Sequence, residues 1–454
     1  MSDINNIQKI YFLGIGGIGM SALARYFKSK GCVVSGYDKT ATPLTMELEN
    51  SGIDIHYEEN IDAIPKDVDV VVYTPAIPKN QSELLYYQNN NYQVVKRSDV
   101  LQWITENSFN ICIAGTHGKT TVTSMIAHIL RDSGFGCNAF LGGIASNYNT
   151  NFWSSEKNVV VVEADEYDRS FLKLIPDVAV ITSMDPDHLD IYGTPEEVEN
   201  AFIQFSKNIK PNGCLVSKYG LKRENELSAY QHYLYSNSNN NASVYATDIK
   251  VINGSYVFDV IAKTWSITDI DLHMGGLHNI ENVTAAITVA KHIGIEDDKI
   301  KEAVATFKGV KRRFEYILKK DDAVLIDDYA HHPEELKALI NGVKNIFKDK
   351  KVTVVFQPHL YSRTNDLAKQ FAESLDLADE VILLPIYPAR ELPMAGVESK
   401  MIVEKMESTK KHLFSKEAMQ NWISVNQPEL LVMAGAGDID ALVLSVAEIM
   451  KMYK

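Results

Sequence analysis

The sequence predicts an α/β protein of three domains. Three blocks in which short apolar strands alternate with amphipathic helices carry that expectation. Several strands are β-branched along their whole length, as in buried parallel sheets. Polar residues gather where strands end, which is where open α/β sheets bind ligands. The 454 residues suffice for about three domains, expected at 1–106, 107–311 and 312–454.

The first block, "KIYFLGIGGIGMSALARYFKSKGCVVSGYD", reads as strand, glycine turn, amphipathic helix and strand; "DVVVYTPAIP" adds a further strand. The pattern fades near "LQWITENSFN". The second block opens with "FNICIAGTHGKTTVTSMIAHILRDSG", a strand running through a glycine loop into a helix. "NVVVVEAD" and "DVAVITSMD" are its buried strands, and "SNSNNNASVYATD" reads as a polar loop. "GSYVFDVIAKTWSITDIDLHM" alternates like antiparallel strands, and a helix is expected from about Asn279. From Lys311 onward, "AVLIDDYAHHPEELKALINGVKNIF", "KVTVVFQPHLYSRTNDLAKQF" and "ELLVMAGAGDIDALVLSVAEIM" each run from strand into helix, whereas "EVILLPIYP" does not.

A net charge of −14, from 45 Lys+Arg against 59 Asp+Glu, argues against nucleic-acid binding, which needs a basic footprint. It leaves nucleotide ligands open, because a few local groups handle their phosphates. No apolar run approaches the roughly 20 residues of a membrane span, and the N-terminal residues lack a signal-peptide pattern, so a cytoplasmic protein is expected. Cys32, Cys112, Cys137 and Cys214 show no metal or disulfide spacing.

"CIAGTHGKTTVTSM" resembles the phosphate loop G-x-x-x-x-G-K-[ST], but Ile113 stands where the first glycine belongs and Gly115 is the nearest earlier one. The context, a strand feeding a helix, points backbone N–H groups at one spot. Lys119 would reach the outer phosphates, and the hydroxyl of Thr120 or Thr121 could meet magnesium. Of the acidic residues in "VVVVEADEYDRS" (Glu163, Asp165, Glu166 and Asp168), Glu163 is the first choice for a metal because it ends the strand. Asp185, Asp187 and His188 tip the next strand. "GIGGIGMS" gives Gly14-x-Gly16-x-x-Gly19 with Asp38 at the distance of a ribose contact, a dinucleotide fingerprint. With a second phosphate loop present, this first one suits the diphosphate of another substrate. In the third block Asp327, Asp328, His331, His332, His359 and Arg363 lie at strand ends. Arg312 and Arg313 in "GVKRRFEY" sit at the domain junction, either as a basic linker or as arginines that swing onto a phosphate.

In this order "GIGGIGMS", "GTHGKTT", "EADEYD", "HNIEN", "GVKRRFE", "DDYAHHP", "FQPH" and "GAGDI" resemble the Mur ligases of bacterial cell-wall synthesis over essentially the whole chain. The resemblance implies a Rossmann-like UDP-binding domain, a central P-loop ATPase-type domain and a C-terminal Rossmann-like domain. It implies that ATP and magnesium drive the joining of L-alanine to the lactyl carboxylate of UDP-N-acetylmuramate through an acyl phosphate, releasing ADP and phosphate. By the same resemblance Gly14, Gly16, Gly17, Ile18, Gly19, Ser21, Asp38 and Thr74 hold the UDP sugar. Gly115, Thr116, His117, Gly118, Lys119, Thr120 and Thr121 hold ATP, with Asn279, Asn282, Arg313 and Asp328. Thr120, Glu163 and His188 serve magnesium, and Tyr329, His331 and Arg363 lie near the amino acid. Lys119, Glu163, His188, Arg313 and His331 are the expected catalytic set.

Three features depart from the family. Leu360 follows the histidine of "FQPH", where several relatives have arginine. The helix after the "DH" motif has only the late Lys207, so no modified lysine is expected. "YPARELPMAGVES" fits the family loop loosely. The alternatives are a ligase attaching a whole tripeptide to the same sugar nucleotide, an NAD-dependent oxidoreductase using the first loop, and a nonenzymatic nucleotide switch. A monomer or a homodimer is expected, with small molecules as the only other partners.

Overall fold

Five parallel strands form the first sheet, in the order Asp54–His56, Val33–Tyr37, Lys9–Leu13, Val70–Tyr73 and Val94–Lys96. The structure is a computed structural model and describes residues 4–252, 255–389 and 391–453. The helix Ile18–Ser29 leaves the glycine turn and buries Met20, Leu23, Ala24 and Phe27, the i, i+3, i+4, i+7 stripe of a helix laid on a sheet.

In the second sheet Phe109–Ala114 runs parallel between Val159–Glu163 and Val178–Ile181. Asn138–Ala145 and an antiparallel edge strand, Thr150–Trp153, lie beyond the first of these. Cys214–Lys218, Gln231–Ser236 and Val244–Ile252 continue in parallel beyond the second. The expected polar loop is therefore short, residues 237–243, because strands claim both its ends. Ser255–Ala262 and Ser266–Leu272 come next in the strand order. The helix Leu277–His292 begins two positions before the expected Asn279.

The third sheet has the order Glu315–Lys319, Val324–Asp328, Leu430–Ala434, Val352–Phe356, Glu380–Leu383 and Lys411–Leu413. Only its first pair is antiparallel. Alternate residues of one strand feed two separate cores: Val352, Val354 and Phe356 join one, and Val355 joins the other. That is the period-2 signature of a sheet covered on both faces.

The chain divides into two compact units. One holds the chain up to Thr247 with Asp259–Thr268 and Glu281–Phe307; the other holds Asp248–Phe258, Asp269–Ile280 and the chain from Lys308 onward. Inside the first unit, one core runs from Ile10, Phe12 and Phe27 to Phe140, Val162 and Ile181. Tyr26 packs on Phe140 and Phe152, with ring centroids 5.4 and 6.0 Å away. The two sheets on either side of residue 106 thus share a core within one compact unit. Each fully buried Val, Ile or Phe side chain there contributes about 1.5–3 kcal/mol of transfer free energy.

Candidate active site

Both glycine loops of the first unit are built by close approach. Gly14 has φ +84°, and a Cβ there would lie 2.8 Å from the Thr74 methyl on the neighbouring strand's end. Gly115 has φ +139°, and its Cβ would lie 2.1 Å from Thr182 Oγ1 and 2.9 Å from the Ser183 amide. In each case the strand entering the loop is bent against the tip of the next strand, and only glycine fits.

In the first loop Gly16 N–H donates to Asp38 Oδ2 at 2.8 Å, and Gly17 N–H to the Gly14 carbonyl at 3.2 Å. Gly17 and Ile18 stay exposed at the mouth. Ser21 is fully buried; its hydroxyl donates to the Ile18 carbonyl at 2.9 Å and accepts from Asn151 Nδ2 at 2.8 Å. Arg97 packs on Gly19, where a Cβ would come within 2.7 Å of its guanidinium, and reaches Asp165 at 3.8 Å.

The second loop draws three strand ends together. Thr116 Oγ1 donates to the Asp185 carbonyl at 2.7 Å, and His117 N–H to Ser183 Oγ at 2.8 Å. Gly118, at φ +83°, caps the helix Lys119–Asp132. The Asn282 side-chain oxygen lies 3.0 Å from where its Cβ would be. Lys119 Nζ donates to the Gly115 carbonyl at 2.6 Å and meets the Glu166 carboxylate at 2.7–2.9 Å. Glu166 is 2% exposed and Lys119 13%. Glu166 is itself pinned: its carbonyl accepts from Tyr192 OH at 2.6 Å and from Arg169 N–H at 3.0 Å. Sequence reasoning took Glu163 as the first choice for magnesium and named no partner for Lys119.

The donors expected at magnesium fit the ion unevenly. Thr120 stands in the first turn of the loop's helix. Glu163 ends its strand, and its carboxylate lies where a Cβ on Gly142 would come within 2.2 Å. A hydroxyl and a carboxylate suit a hard cation that takes its remaining ligands from phosphate and water. His188, at φ +54°, sits edge-on to Tyr167 at 5.0 Å, and its Nε2 lies 3.8 Å from Asp187. Imidazole is the softer donor. No group of three or more His, Cys, Asp or Glu suited to a metal occurs among the described residues.

In the second unit Asn279 Nδ2 donates to the Gly275 carbonyl at 2.6 Å. Asp328 accepts the Phe314 N–H at 2.7 Å and the Ala330 N–H at 2.8 Å; burial still pushes its carboxyl up to about 6. The Arg313 guanidinium lies over the Tyr329 ring at 5.3 Å. His331 Nδ1 donates to the Tyr329 carbonyl at 2.9 Å, which leaves Nε2 as the proton acceptor. Burial holds the ring below the usual histidine range, opposed by Glu335. His359 stacks on Tyr387 and stands 6.1 Å from His331. Arg363 keeps Nη1 buried with no hydrogen-bond partner among the described residues, a donor shaped for a carboxylate. Leu360 precedes its helix at φ +70°, a costly angle for a leucine. Glu391, in the loosely matching loop, accepts the Ser362 N–H at 3.0 Å and so caps that helix.

Family models match along the chain in order: Mur ligase family, catalytic domain, over residues 9–108; Mur ligase middle domain over 113–290; and Mur ligase, glutamate ligase domain, over 312–437. A UDP-N-acetylmuramate–L-alanine ligase of Parabacteroides distasonis is 48% identical over 99% of this chain and 98% of its own. The chain belongs to the Mur ligase family. A protein of the same name from Flavobacterium johnsoniae is 46% identical over 99% of both chains. Among solved structures, the UDP-N-acetylmuramate–alanine ligase of Thermotoga maritima superposes with TM-score 0.83 at 28% identity, over 98% of this chain and 100% of that one. A murein peptide ligase of Psychrobacter arcticus shares the fold, with TM-score 0.68 at 22% identity over 98% and 99%. The Mur ligase architecture of three α/β domains thus accounts for the three sheets, and the short "GTHGKTT" loop belongs to the middle domain.

Proposed function

We infer that this Mur ligase joins L-alanine to the lactyl carboxylate of UDP-N-acetylmuramate, with ATP converted to ADP and phosphate, in the synthesis of peptidoglycan precursors. The observation that carries the reading is the full-length identity of 44–48% to curated relatives bearing that activity in their names. A carboxylate is a poor acyl donor because its leaving group would be oxide; transfer of a phosphoryl group onto it creates a leaving group.

Lys119 and the backbone N–H groups of residues 115–121 hold the nucleotide's phosphates at the helix N-terminus. Lys119 must leave the Gly115 carbonyl and share its charge between Glu166 and the phosphates. Thr120 and Glu163 would hold a magnesium ion, with His188 beside them; when bound, that ion neutralises charge on the transferring group. Asn282 flanks the same loop. Asn279, Arg313 and Asp328, in the second unit, are assigned to the nucleotide as well. Gly14–Gly19, Asp38 and Thr74 are assigned to the UDP sugar, with Ser21 fixing the helix that carries the turn. Arg363 is assigned to the alanine carboxylate and neutral His331 to its amine, which must lose a proton to attack; Tyr329, two residues before His331, is assigned to the same amino acid.

The reading places the reaction in the cytoplasm, consistent with four buried free cysteines. No helix among the described residues is long and apolar enough to cross a membrane. The proposed domain limits are 1–106, 107–311 and 312–454. ADP release is the test, with UDP-N-acetylmuramate and L-alanine added singly and then together. Release requiring both supports the reading. Release with a tripeptide but not with alanine would replace it.

A further inference from the structure

A cavity of about 590 Å³, lined by none of the residues assigned to a substrate or to magnesium, carries three cations, and each is already engaged. Arg25 pairs with Glu47 at 2.9 Å, Lys28 Nζ donates to the Gly52 carbonyl at 2.8 Å, and Arg131 lies 4.1 Å over the Tyr148 ring. The segment around Arg313 is different, because its backbone is held in an unfavourable form.

Arg312 has φ +60° and Phe314 φ +50°; both are non-glycine residues in the left-handed region, one on each side of Arg313. Such angles persist only where the surroundings over-determine them, and they cluster at functional sites. Here every flanking group is tied. Arg312 N–H donates to Glu315 Oε2 at 2.8 Å, and its carbonyl accepts the Tyr329 N–H at 2.7 Å. Phe314 N–H donates to Asp328, and its ring is buried against Gly275, where a Cβ would come within 2.0 Å. The Arg312 guanidinium donates to the Gly435 carbonyl, to the Gly437 carbonyl at 3.4 Å and to Asp440 Oδ2 at 3.1 Å; Asp327 lies 3.7 Å away. Gly435, Gly437 and the adjoining Asp438 belong to the "GAGDI" motif, to which no role has yet been given. Gln357 of "FQPH" braces the same motif, donating to Asp438 at 2.9 Å and accepting the Ile439 N–H at 3.0 Å. Arg313 is the residue this anchored turn presents, its guanidinium resting over Tyr329.

We infer that Arg312 is a positioning residue for Arg313: clamped by the Gly435–Gly437 carbonyls, Asp440 and Asp327, it fixes the strained turn that presents Arg313. The inference rests on the assignment of Arg313 to ATP. The guanidinium fork meets two carbonyls and a carboxylate at once, which an ammonium cannot reproduce.

The test is a double-mutant cycle on the full-length enzyme, reading kcat and the KM values for ATP and for UDP-N-acetylmuramate. Arg313→Ala is expected to raise the ATP KM about tenfold or more. Arg312→Ala should raise it about five- to tenfold with the UDP-sugar KM unchanged. In the Arg313→Ala background, Arg312→Ala should add less than twofold, since a residue acting through another has nothing left to act on. Full multiplication in the double variant, or an equal rise in the UDP-sugar KM, overturns the inference. An Arg313→Ala enzyme with normal ATP kinetics removes the assignment on which it rests. Should Arg312→Ala not fold, Arg312→Lys and Asp440→Asn carry the test. Each is expected to raise the ATP KM two- to threefold with a normal melting curve, and no change in either overturns the proposal.

Discussion

The two glycine loops of the first unit share a plan and differ in one element. Each bends a central parallel strand into a helix with a positive-φ glycine pressed on the next strand's tip, Gly14 on Thr74 and Gly115 on Thr182. In the first loop an acidic side chain, Asp38, takes the Gly16 amide, and no basic residue lies between Gly14 and Ser21. In the second, Lys119 sits inside the loop and is held by buried Glu166. A loop whose nearest cation, Arg97 beside Gly19, lies outside it can bind a diphosphate and leave it unchanged. A loop with a cation inside it can neutralise charge on the transferring group, which phosphoryl transfer demands.

The comparison breaks most visibly at Lys119. Lys119→Ala should lower turnover by about 10²–10³-fold or more, while UDP titrated calorimetrically binds as before. Loss of both would mean that the loops are not separate sites. Alanine at the two glycines should rank by crowding. Gly115→Ala meets Thr182 Oγ1 at 2.1 Å and Gly14→Ala a methyl at 2.8 Å. The first should destabilise by about 2 kcal/mol or more and the second by less, read from denaturant melts. Glu166→Gln leaves a largely buried ammonium without its counter-charge. An expected loss of about 1–3 kcal/mol, below the full cost of a broken buried pair because Lys119 keeps 13% exposure, should come with a higher ATP KM.

A pH profile sharpens the account further. Burial lowers the His331 pKa, so the ring is neutral at pH 7 and charges only below the ordinary histidine value of about 6.5. kcat/KM for alanine should therefore hold down to that value and fall below it, and His331→Gln should lack that limb. The same lowered pKa means that folding stability tied to this ring is present at neutral pH and lost as the pH falls through it. The smallest effect is expected at Asp38→Asn, which removes one charged acceptor: about 1 kcal/mol, seen as a few-fold weaker UDP affinity and an unchanged ATP KM.

Much of this organisation was legible in the sequence. Ile113 did not break the phosphate loop because it is still a buried residue of the strand, which ends at Ala114; the turn begins only at Gly115, so a shorter glycine spacing serves. The strand–loop–helix order located Lys119 without any contact being known. What escaped were relations between side chains far apart in the chain. Nothing local separates Glu166 from the other three carboxylates of "EADEYD"; the fold decides, by the way the strand end faces the loop. Arg312 looked interchangeable with Arg313, and only the third sheet, which sets Leu430–Ala434 beside Val324–Asp328, brings the Gly435 carbonyl to one of them. Ser21 read as a ligand contact from its place in "GIGGIGMS", yet the helix turns it inward to Asn151. The polar run at residues 236–248 read as a loop because asparagine and serine dominate it, while pairing with a neighbouring strand fixed its ends as β structure.

The central claim is that the Lys119 loop drives amide formation by phosphorylating the substrate's own carboxylate. Its most direct test is to label the lactyl carboxylate of UDP-N-acetylmuramate with oxygen-18, supply ATP, magnesium and L-alanine, and weigh the inorganic phosphate by mass spectrometry. One labelled oxygen in each phosphate released is the predicted result. Phosphate free of label, formed at the same rate as the amide, would contradict the account.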